Sequence, residues 1–414
     1  MKIYSIRPAK QGSLIKLLLS FFFITNFLLL HAQPVLVFNP ISRNLSRPVE
    51  ITNANDGSGR LFIVEQDGFV RIWKNGHILA RPFLNLSYSV PQGKEFGGLF
   101  SIAFAPDYKQ SGILFAFFTT KNQSTVLARF KTSSTNPDSV IAGSGVTLFS
   151  FSATTGNGPH FGDLHFGKDG YLYVMISDVS KPGILNAFAQ DGNSFFGKLL
   201  RIDAKVATAP YYRIPPDNPY INNDSVRNEI LYMGFRNAWR WSFDRQTGDM
   251  WIADVGEHKW EEINFKKAGN PKPANYGWSC YEGDERFSTN GCSARNNYSF
   301  PIFTYPHNSR TGGYSVTGGC VYRGSAYPSL YGYYVCADYV SGNAWTIKPD
   351  GAGGWNIRQQ SDNPKGITSF GEGEDGELYA ATLKGTIYRV QTANDAVVSV
   401  TKTEIDRINN LQKQ

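Results

Sequence analysis

The feature that most constrains the fold of this chain is a hairpin that recurs six times. Each copy is a run of alternating apolar residues, a turn, and a second such run, which is the pattern of two antiparallel strands. One copy cannot bury its apolar face alone, so neighbouring copies must stack, as blades do in a radial array. The repeat therefore predicts an all-β fold, a six-bladed β-propeller. The copies are GRLFIVEQDGFVRIWKNG (59–76), GILFAFFTTKNQSTVLARFKT (112–132), GYLYVMISD with GKLLRIDA (170–178 and 197–204), GDMWIADVGEHKWEEINFKKAG (248–269), YGYYVCADYVSGNAWTIKPDG (331–351) and GELYAATLKGTIYRVQTA (376–393).

A β-helix and a β-sandwich are the alternatives to a propeller. The copies are spaced by about 30 to 80 residues, which is too long for one coil of a β-helix, and six similar hairpins are too many for one sandwich. Aromatic residues make up 14% of the 414-residue chain and charged residues only 18%, which fits a strand-rich protein with a large core. Longer insertions interrupt the repeat, and face loops of this kind commonly carry binding groups. The insertions are 132–165, 179–196, 204–230 and 270–318.

Residues 1–33 have the pattern of an export signal. A basic stretch precedes the 14-residue apolar run LLLSFFFITNFLLL (17–30), and HAQ then offers a cleavage site near Ala32 or Gln33. The run is short for a membrane span, although an uncleaved anchor is the alternative. We therefore expect a periplasmic or secreted protein without a membrane span after cleavage. The predicted divisions are a signal peptide over 1–33, a propeller over 34–393 and a C-terminal tail over 394–414.

The net charge of +7 overstates the charge of the exported chain. Four of the excess positive charges lie within 1–33, which contains no acidic residue, so +3 remains after cleavage. This small excess gives no electrostatic argument for a nucleic-acid partner.

Four cysteines in an exported chain predict two disulfides. Cys280 and Cys292 close a short polar loop, whereas Cys320 and Cys336 lie in two apolar runs that resemble successive strands. We expect the pairs 280–292 and 320–336, because two local loops close more easily than crossed ones.

Seven stretches together resemble the glucose/sorbosone dehydrogenase family. This family includes soluble quinoprotein glucose dehydrogenases, aldose sugar dehydrogenases and hedgehog-interacting-protein-like propellers. The likeness covers roughly residues 35–392 in the family's order, and its fold is the six-bladed propeller that the repeat predicts. The stretches are GGLFSIAFAPDY (97–108), GDLHFGKDGYLYVMISD (162–178), FFGKLLRIDA (195–204), IPPDNPY (214–220), GFRNAWRWSFDRQTGDMWIADVGEHKWEEIN (234–264), NYGWSCYEG (275–283) and TGGCVYRGSAYP (317–328).

The resemblance implies an oxidoreductase. In the family's enzymes, pyrroloquinoline quinone lies in a cleft on one face of the propeller, with Ca²⁺ against it. A histidine takes the proton of a sugar hydroxyl while hydride passes to the quinone, and an external acceptor then removes the electrons. Imidazole suits this proton transfer because its pKa is near neutrality. Arginine and Ca²⁺ suit the negative charge of the reduced quinone.

His160 is the candidate base. The family's usual run is His-Asn-Gly-Gly-x-Leu, with the base five residues before the leucine. Aligned on Leu164, that position is Pro159, and His160 follows one place later in PHFGDL. The loss of one glycine from the turn would restore His160 to the position of the base; loss of the base itself is the alternative. We expect His165, in the next strand, to be structural.

Further site residues are implied by the same resemblance. Asp178 closes the strand YVMISD and matches the carboxylate that orients the base, although a turn-forming aspartate is the alternative. Gln190 is a candidate for the wall of the cleft, and an ordinary polar loop residue is the alternative. Arg236 and Asn237, in GFRNAWRW, match the pair that contacts the quinone, and a structural arginine is the alternative.

The family's Ca²⁺-binding loop and its basic quinone contacts in the last blades match this sequence less clearly than the other site residues do. Gly256 and Glu257 match positions whose backbone carbonyls hold Ca²⁺ in the family, and hard cations prefer oxygen ligands. Lys365 is the one basic residue that matches the family's further quinone contacts in the last blades. Because the family's enzymes have more such contacts, a non-catalytic propeller that binds a carbohydrate or protein partner is the alternative function. A Ca²⁺-dependent lactonase is a third possibility that the motifs disfavour.

Overall fold

The computed structural model describes residues 33–94, 97–152, 161–178, 187–269, 272–360 and 363–395. The predicted signal and C-terminal tail lie almost wholly outside these residues, so their boundaries stay predictions. Within the described residues the chain is nearly all β, and no helix there has the length and apolar content that crossing a bilayer requires. A short helix, α1 (Tyr108–Ser111), follows the first strand of the second blade.

Six sheets of four or five strands are arranged as blades around a central axis. The first strand of the chain, β1 (Leu36–Ser42), belongs to the last blade. Blade 1 contains β2 (Pro48–Asn53), β3 (Leu61–Glu65), β4 (Phe69–Lys74), β5 (His77–Ile78) and β6 (Leu84–Asn85), of which β5 and β6 both pair with β4. Blade 2 contains β7 (Leu99–Phe104), β8 (Ile113–Thr119), β9 (Thr125–Lys131) and β10 (Val146–Phe151). Blade 3 contains β11 (Gly162–Phe166), β12 (Leu172–Ile176), β13 (Lys198–Ile202) and β14 (Ile230–Met233).

The second half of the disc repeats the plan. Blade 4 contains β15 (Ala238–Phe243), β16 (Met250–Asp254), β17 (Trp260–Lys266) and β21 (Phe303–Pro306). Between its last two strands an insertion adds β18 (Ala274–Asn275), which runs parallel to β14 of blade 3, and the small hairpin of β19 (Tyr281–Glu282) and β20 (Glu285–Arg286). Blade 5 contains β22 (Val316–Val321), β23 (Tyr334–Asp338), β24 (Ala344–Pro349) and β25 (Trp355–Gln360). Blade 6 contains β26 (Ile367–Glu372), β27 (Leu378–Thr382), β28 (Ile387–Thr392) and β1.

The ring is closed by the N-terminal strand. β1 pairs antiparallel with β28, with Leu36 opposite Thr392 and Phe38 opposite Val390. The two ends of the propeller are thereby joined within one sheet, and Leu36 and Val390 share a buried cluster with blade 5. This closure gives the outer edge of β28 a hydrogen-bonded partner.

The six hairpin copies of the sequence are the second and third strands of the six blades, which confirms the six-bladed propeller. Neighbouring blades pack face to face, so the second strand of each is covered on both sides. In β3, β12, β16, β23 and β27 every residue is buried. Such strands read as nearly continuous apolar runs for this reason.

The prediction of two disulfides is half right. Cys280 and Cys292 are bonded, with their Cα atoms 5.7 Å apart. The predicted 320–336 bridge is wrong, because both of these cysteines are free and buried. Cys320 is opposite Val335 in the β22–β23 ladder and Cys336 is opposite Gly319. Their side chains therefore point to opposite faces of the sheet, where Cys320 and Cys336 join different apolar clusters.

Counting thiols tests this correction. Protein that is unfolded without a reductant should take up two equivalents of an alkylating reagent per chain, on Cys320 and Cys336. The folded protein should resist the reagent because both thiols are buried and burial raises the pKa of each. Mass spectrometry measures the number of labels. An unfolded chain without labels would show that Cys320 and Cys336 are bonded after all.

The middle of the axis is occupied by Arg240, from the innermost strand of blade 4. Its guanidinium donates to the carbonyls of Val49 and Phe100 at 2.6 and 2.8 Å, and to Asp163 Oδ1 at 2.9 Å. These acceptors belong to blades 1, 2 and 3, so one buried side chain ties four blades together. Asp163 also approaches His165 Nε2 at 3.4 Å. Burial opposes the charged imidazole, but Asp163 outweighs it and the pKa of His165 is raised.

Candidate functional site

A cleft of about 280 Å³ opens on the axis, on the face where the innermost strands begin. Five of the six blades contribute to its wall, and Arg236, Asn237 and Phe161 are among the lining residues. Two cavities of about 410 Å³ are larger. We place the candidate site in the smaller cleft because neither of the larger cavities is lined by a residue that the resemblance singles out.

Arg236 lies in the wall of this cleft, just before β15. Its Nη1 donates to the carbonyl of Val255 at 2.9 Å, and its Nη2 donates to the carboxylate of Glu257. The guanidinium also lies over the ring of Trp278, with the central carbon 5.5 Å from the ring centroid. Arg236 is therefore fixed in one orientation. Its buried Nε has no hydrogen-bond partner within the described ranges.

Asp254 explains why the backbone of Arg236 and Asn237 has this path. Its two carboxylate oxygens accept the backbone N–H groups of Arg236 and Asn237 at 2.8 and 2.6 Å. At the start of blade 5, the carboxylate of Asp338 likewise accepts the backbone N–H groups of Tyr314 and Ser315. Both are structural carboxylates at the ends of second strands. The side-chain Oδ1 of Asn237 is buried at the cleft and, in the part of the chain that the structure describes, has no partner.

Asp178 differs from these structural carboxylates. It follows β12, and its backbone N–H donates to the carbonyl of Arg236 at 2.8 Å. The corresponding strand-start contact in blade 3 is made instead by the hydroxyl of Ser177, which accepts from Phe161 N at 3.0 Å. Asp178 Oδ1 is buried and lacks a hydrogen-bond partner among the described residues. This oxygen is thus available to a further partner, while the carboxyl group also interacts with the backbone N–H of Ala189 and the indole of Trp278.

The ionisation of Asp178 is set mainly by burial, which raises its pKa to about 7. The ammonium of Lys198, the backbone N–H of Ala189 and the indole of Trp278 act in the opposite direction. Lys198 is itself buried, so its pKa is lowered to about 8, and its Nζ donates to the carbonyls of Phe188 and Phe196 at 2.5 and 2.9 Å. A carboxyl group that titrates near neutrality can exchange a proton under physiological conditions.

Gln190 joins the insertion of blade 4, which contains Asn275 and Trp278, to blade 3. Its Nε2 donates to the carbonyl of Trp278 at 2.5 Å and to Asn275 Oδ1 at 3.0 Å, while its Oε1 accepts from Asn275 Nδ2 at 2.8 Å. The side chain is therefore engaged in fixing the segment that holds Trp278.

Gly256 and Glu257 lie in a tight turn beside Arg236. A Cβ atom on Gly256 would be 1.8 Å from the carbonyl oxygen of Trp260, so only glycine fits there. The carboxylate of Glu257 pairs with Arg236. Within the described residues no group of three or more His, Cys, Asp or Glu side chains is arranged to hold a metal ion.

Of the predicted site residues that the structure describes, Arg236 and Asn237 line the cleft, whereas Asp178, Gln190, Gly256, Glu257 and Lys365 do not. His160 lies outside the described residues, although Phe161, which follows it, lines the cleft. Lys365 is exposed in the loop between blades 5 and 6, where its side chain lies against Gly342. Asp178 and the turn of Gly256 and Glu257 lie next to the cleft through contacts with Arg236, and Gln190 is linked to them through Trp278.

Sequence reasoning missed Trp278 and Glu282. Trp278 is 7% exposed and contacts both Arg236 and Asp178. Glu282 accepts the backbone N–H groups of the Glu257 turn. Both lie in NYGWSCYEG, a stretch that carried the family resemblance, and that was the available signal.

The raised pKa of Asp178 predicts a pH dependence of stability. An unfolded carboxyl titrates near 3.8 and the folded one at about 7, so the folded protein binds the extra proton between these values. The free energy of unfolding should therefore fall as the pH rises through this window. Relative to the wild type, Asp178→Asn should be unchanged at about pH 4 and more stable by about 2–4 kcal/mol at about pH 8. Urea unfolding at both pH values measures this, and a difference that does not vary with pH would contradict it.

The fold and the cleft together define a class of protein: a six-bladed propeller with a mainly apolar axial pocket that carries a few polar groups, close in volume to the smaller small-molecule sites. The chain belongs to the glucose/sorbosone dehydrogenase family, whose match spans residues 45–389.

Individual relatives carry different names. The chain is 28% identical to the HIPL2 protein of Arabidopsis thaliana, over 81% of this chain and 60% of that protein. It is 27% identical to the Hedgehog-interacting protein of Mus musculus, over 87% of this chain and 53% of the relative. The chain thus spans little more than half the length of these relatives. The PQQ-bound aldose sugar dehydrogenase from Streptomyces coelicolor has the same fold, with 19% identity, a TM-score of 0.63 and coverage of 87% of this chain and 99% of that one.

Proposed function

We propose that this protein is an exported sugar dehydrogenase that depends on pyrroloquinoline quinone and Ca²⁺. The observation that carries the proposal is the pair of buried polar atoms on two residues that line the axial cleft, Arg236 Nε and Asn237 Oδ1. A third, Asp178 Oδ1, belongs to the residue whose backbone N–H donates to the carbonyl of Arg236. Each lacks a partner within the described residues. Buried polar atoms without partners are costly, so such a group is expected where a polar ligand completes the hydrogen bonding.

The residues fit the quinone better than they fit the ion. The quinone carries carboxylates and carbonyl oxygens, for which a guanidinium and an amide are suitable partners. Arg236 and Asn237 would hold it. Gln190 and Lys365, the other residues that the resemblance implies, do not line the cleft and are given no contact with the quinone. For Ca²⁺ the chain offers the carbonyls of Gly256 and Glu257, because the carboxylate of Glu257 pairs with Arg236.

Each residue has a defined task in this proposal. When bound, the quinone serves as the hydride acceptor for an aldose. His160 takes the proton of the sugar hydroxyl, and Asp178 orients the imidazole and stabilises its charged form. Arg236 supplies positive charge where the reduced cofactor gathers negative charge. An external acceptor then removes the electrons.

A second candidate function is a non-catalytic propeller that binds a carbohydrate or a protein partner. The pairing of Glu257 with Arg236 favours it, because the carboxylate occupies the guanidinium that the cofactor would use. The exposed position of Lys365 favours it too, since the cleft then has fewer cations. The likeness to a Hedgehog-interacting protein is in keeping with this alternative.

Activity measured with a redox dye distinguishes the two functions. Purified protein is supplied with the quinone and Ca²⁺, and aldoses are screened for dye reduction. Arg236→Lys keeps the charge but loses the bidentate geometry, and Arg236→Ala loses both. We expect the alanine variant to bind the quinone about 10- to 100-fold more weakly, as the loss of a charge-assisted hydrogen bond implies. Arg358→Ala, on the exposed outer strand β25, is the matched control. Equal activity in Arg236→Ala and the control would refute the role of Arg236.

A further inference from the structure

Glu282 lies at the centre of a ring of backbone donors. Its Oε1 accepts the N–H groups of Glu257 and His258 at 2.7 Å each, Lys259 at 3.0 Å and Trp260 at 3.4 Å. The side chain is buried, with 5% of the residue exposed. Successive N–H groups that converge in this way form an anion-binding concavity, so a carboxylate stabilises the turn.

Glu282 binds the turn of residues 257–260, and Glu257 in this turn binds Arg236 through its side chain. Glu257 donates its backbone N–H to Glu282 while its own carboxylate accepts from Arg236 Nη2. On the other side of the turn, the carbonyl of Val255 accepts from Arg236 Nη1 at 2.9 Å. The position of Glu282 is thus transmitted to the guanidinium through a single residue.

Glu282 is itself anchored by covalent and polar contacts. It lies two residues after Cys280, which is bonded to Cys292, and the next residue, Gly283, donates its backbone N–H to Glu262 Oε2 at 3.0 Å. Trp278, two residues before Cys280, lies over the guanidinium of Arg236. One short segment, 278–283, therefore fixes Arg236 from two directions.

We propose that Glu282 is a positioning residue for Arg236, and that the Cys280–Cys292 disulfide keeps it in place. This inference rests on the proposed function in one respect, namely that Arg236 binds the quinone. A guanidinium that is already fixed loses less conformational entropy when it binds a ligand, so release of the turn weakens binding.

The test combines a measurement without cofactor and one with it. Hydrogen–deuterium exchange of the amides of 257–260 reports the hold of Glu282 on the turn. In Glu282→Ala these amides should exchange about 10- to 100-fold faster, and Glu282→Gln, which keeps an uncharged acceptor of the same size, should lie between. Glu285→Gln is the matched control: its exposed carboxylate contacts Lys259 Nζ from the same hairpin. Cys280→Ser/Cys292→Ser should resemble Glu282→Ala.

The second arm is a double-mutant cycle on the affinity for quinone. Glu282→Ala should weaken binding about tenfold, and the combination with Arg236→Ala should be no weaker than Arg236→Ala alone, because both changes remove one interaction. Additive losses would overturn the proposal, since a general loss of structure adds to any other defect. Unchanged exchange in Glu282→Ala would overturn it as well. If the wild type binds no quinone while exchange behaves as expected, the proposed function fails and the hold of Glu282 on the turn stands.

Discussion

His160→Ala should lower the rate of dye reduction by about 10² to 10⁴, which is the usual contribution of a general base. The expectation follows from the resemblance around PHFGDL and GDLHFGKDGYLYVMISD (162–178). It follows also from Asp178, whose buried Oδ1 has no partner among the described residues and is suited to orient an imidazole. Affinity for the quinone should be preserved, because Arg236 and Asn237 are intact. Steady-state kinetics at saturating quinone and sugar, together with a quinone titration, measure the two effects separately.

The control for this variant is His77→Ala, which removes an exposed imidazole on β5 of blade 1. It should have the kinetic constants of the wild type. Wild-type rates in His160→Ala would identify His160 as an ordinary turn residue. Loss of quinone binding in His160→Ala would point to a binding role instead of a proton transfer.

Arg240→Met should lower the free energy of unfolding by about 3–5 kcal/mol, the cost of removing one partner from a buried ion pair. Asp163 would lose its buried cation, and the carbonyls of Val49 and Phe100 would lose a donor. Glu50 adds to the cost, because burial already raises its pKa to about 7 in spite of the charge of Arg240. Denaturant unfolding near neutral pH measures the change.

The matched control for the axial arginine is Arg358→Met on the exposed strand β25. A surface change of this kind should stay within about 0.5 kcal/mol. A loss below about 1 kcal/mol in Arg240→Met would contradict the view that this side chain joins the blades, because even one lost buried hydrogen bond costs about that much.

The repeat made the fold predictable from the sequence. The second and third strands of each blade are buried on both faces or alternate in burial, and both patterns leave a periodic signal. The closing strand β1 left no such signal, because its partner β28 lies more than 340 residues further along the chain. Pairing of that kind is decided by the geometry of the closed ring.

The wrong disulfide shows where sequence patterns stop. The predicted strands are the observed strands, but the β22–β23 ladder shifts register between Val316 and Gly318. Without that shift, Cys320 would be opposite Tyr334, and Cys336 would lie two places further along on the same face. A shift of one residue moves a side chain to the other face. Spacing in the sequence carries no record of a bulge.

The site was predictable where the family resemblance supplied a role, and not elsewhere. Asp178 and Arg236 were expected, and they are neighbours in the structure. Trp278 and Glu282 lie beside Arg236 and its turn, in an insertion that contains the 280–292 bridge and contacts blade 3. Such contacts follow no period, so the sequence alone does not place these side chains.

Titration of the purified protein with pyrroloquinoline quinone in the presence of Ca²⁺, followed by absorbance, tests the central claim most directly. The proposed function predicts a saturable change with one equivalent of quinone per chain, which Arg236→Ala weakens and a Ca²⁺ chelator reverses. The absence of any saturable change in the wild type would contradict the dehydrogenase account and leave the partner-binding propeller as the function.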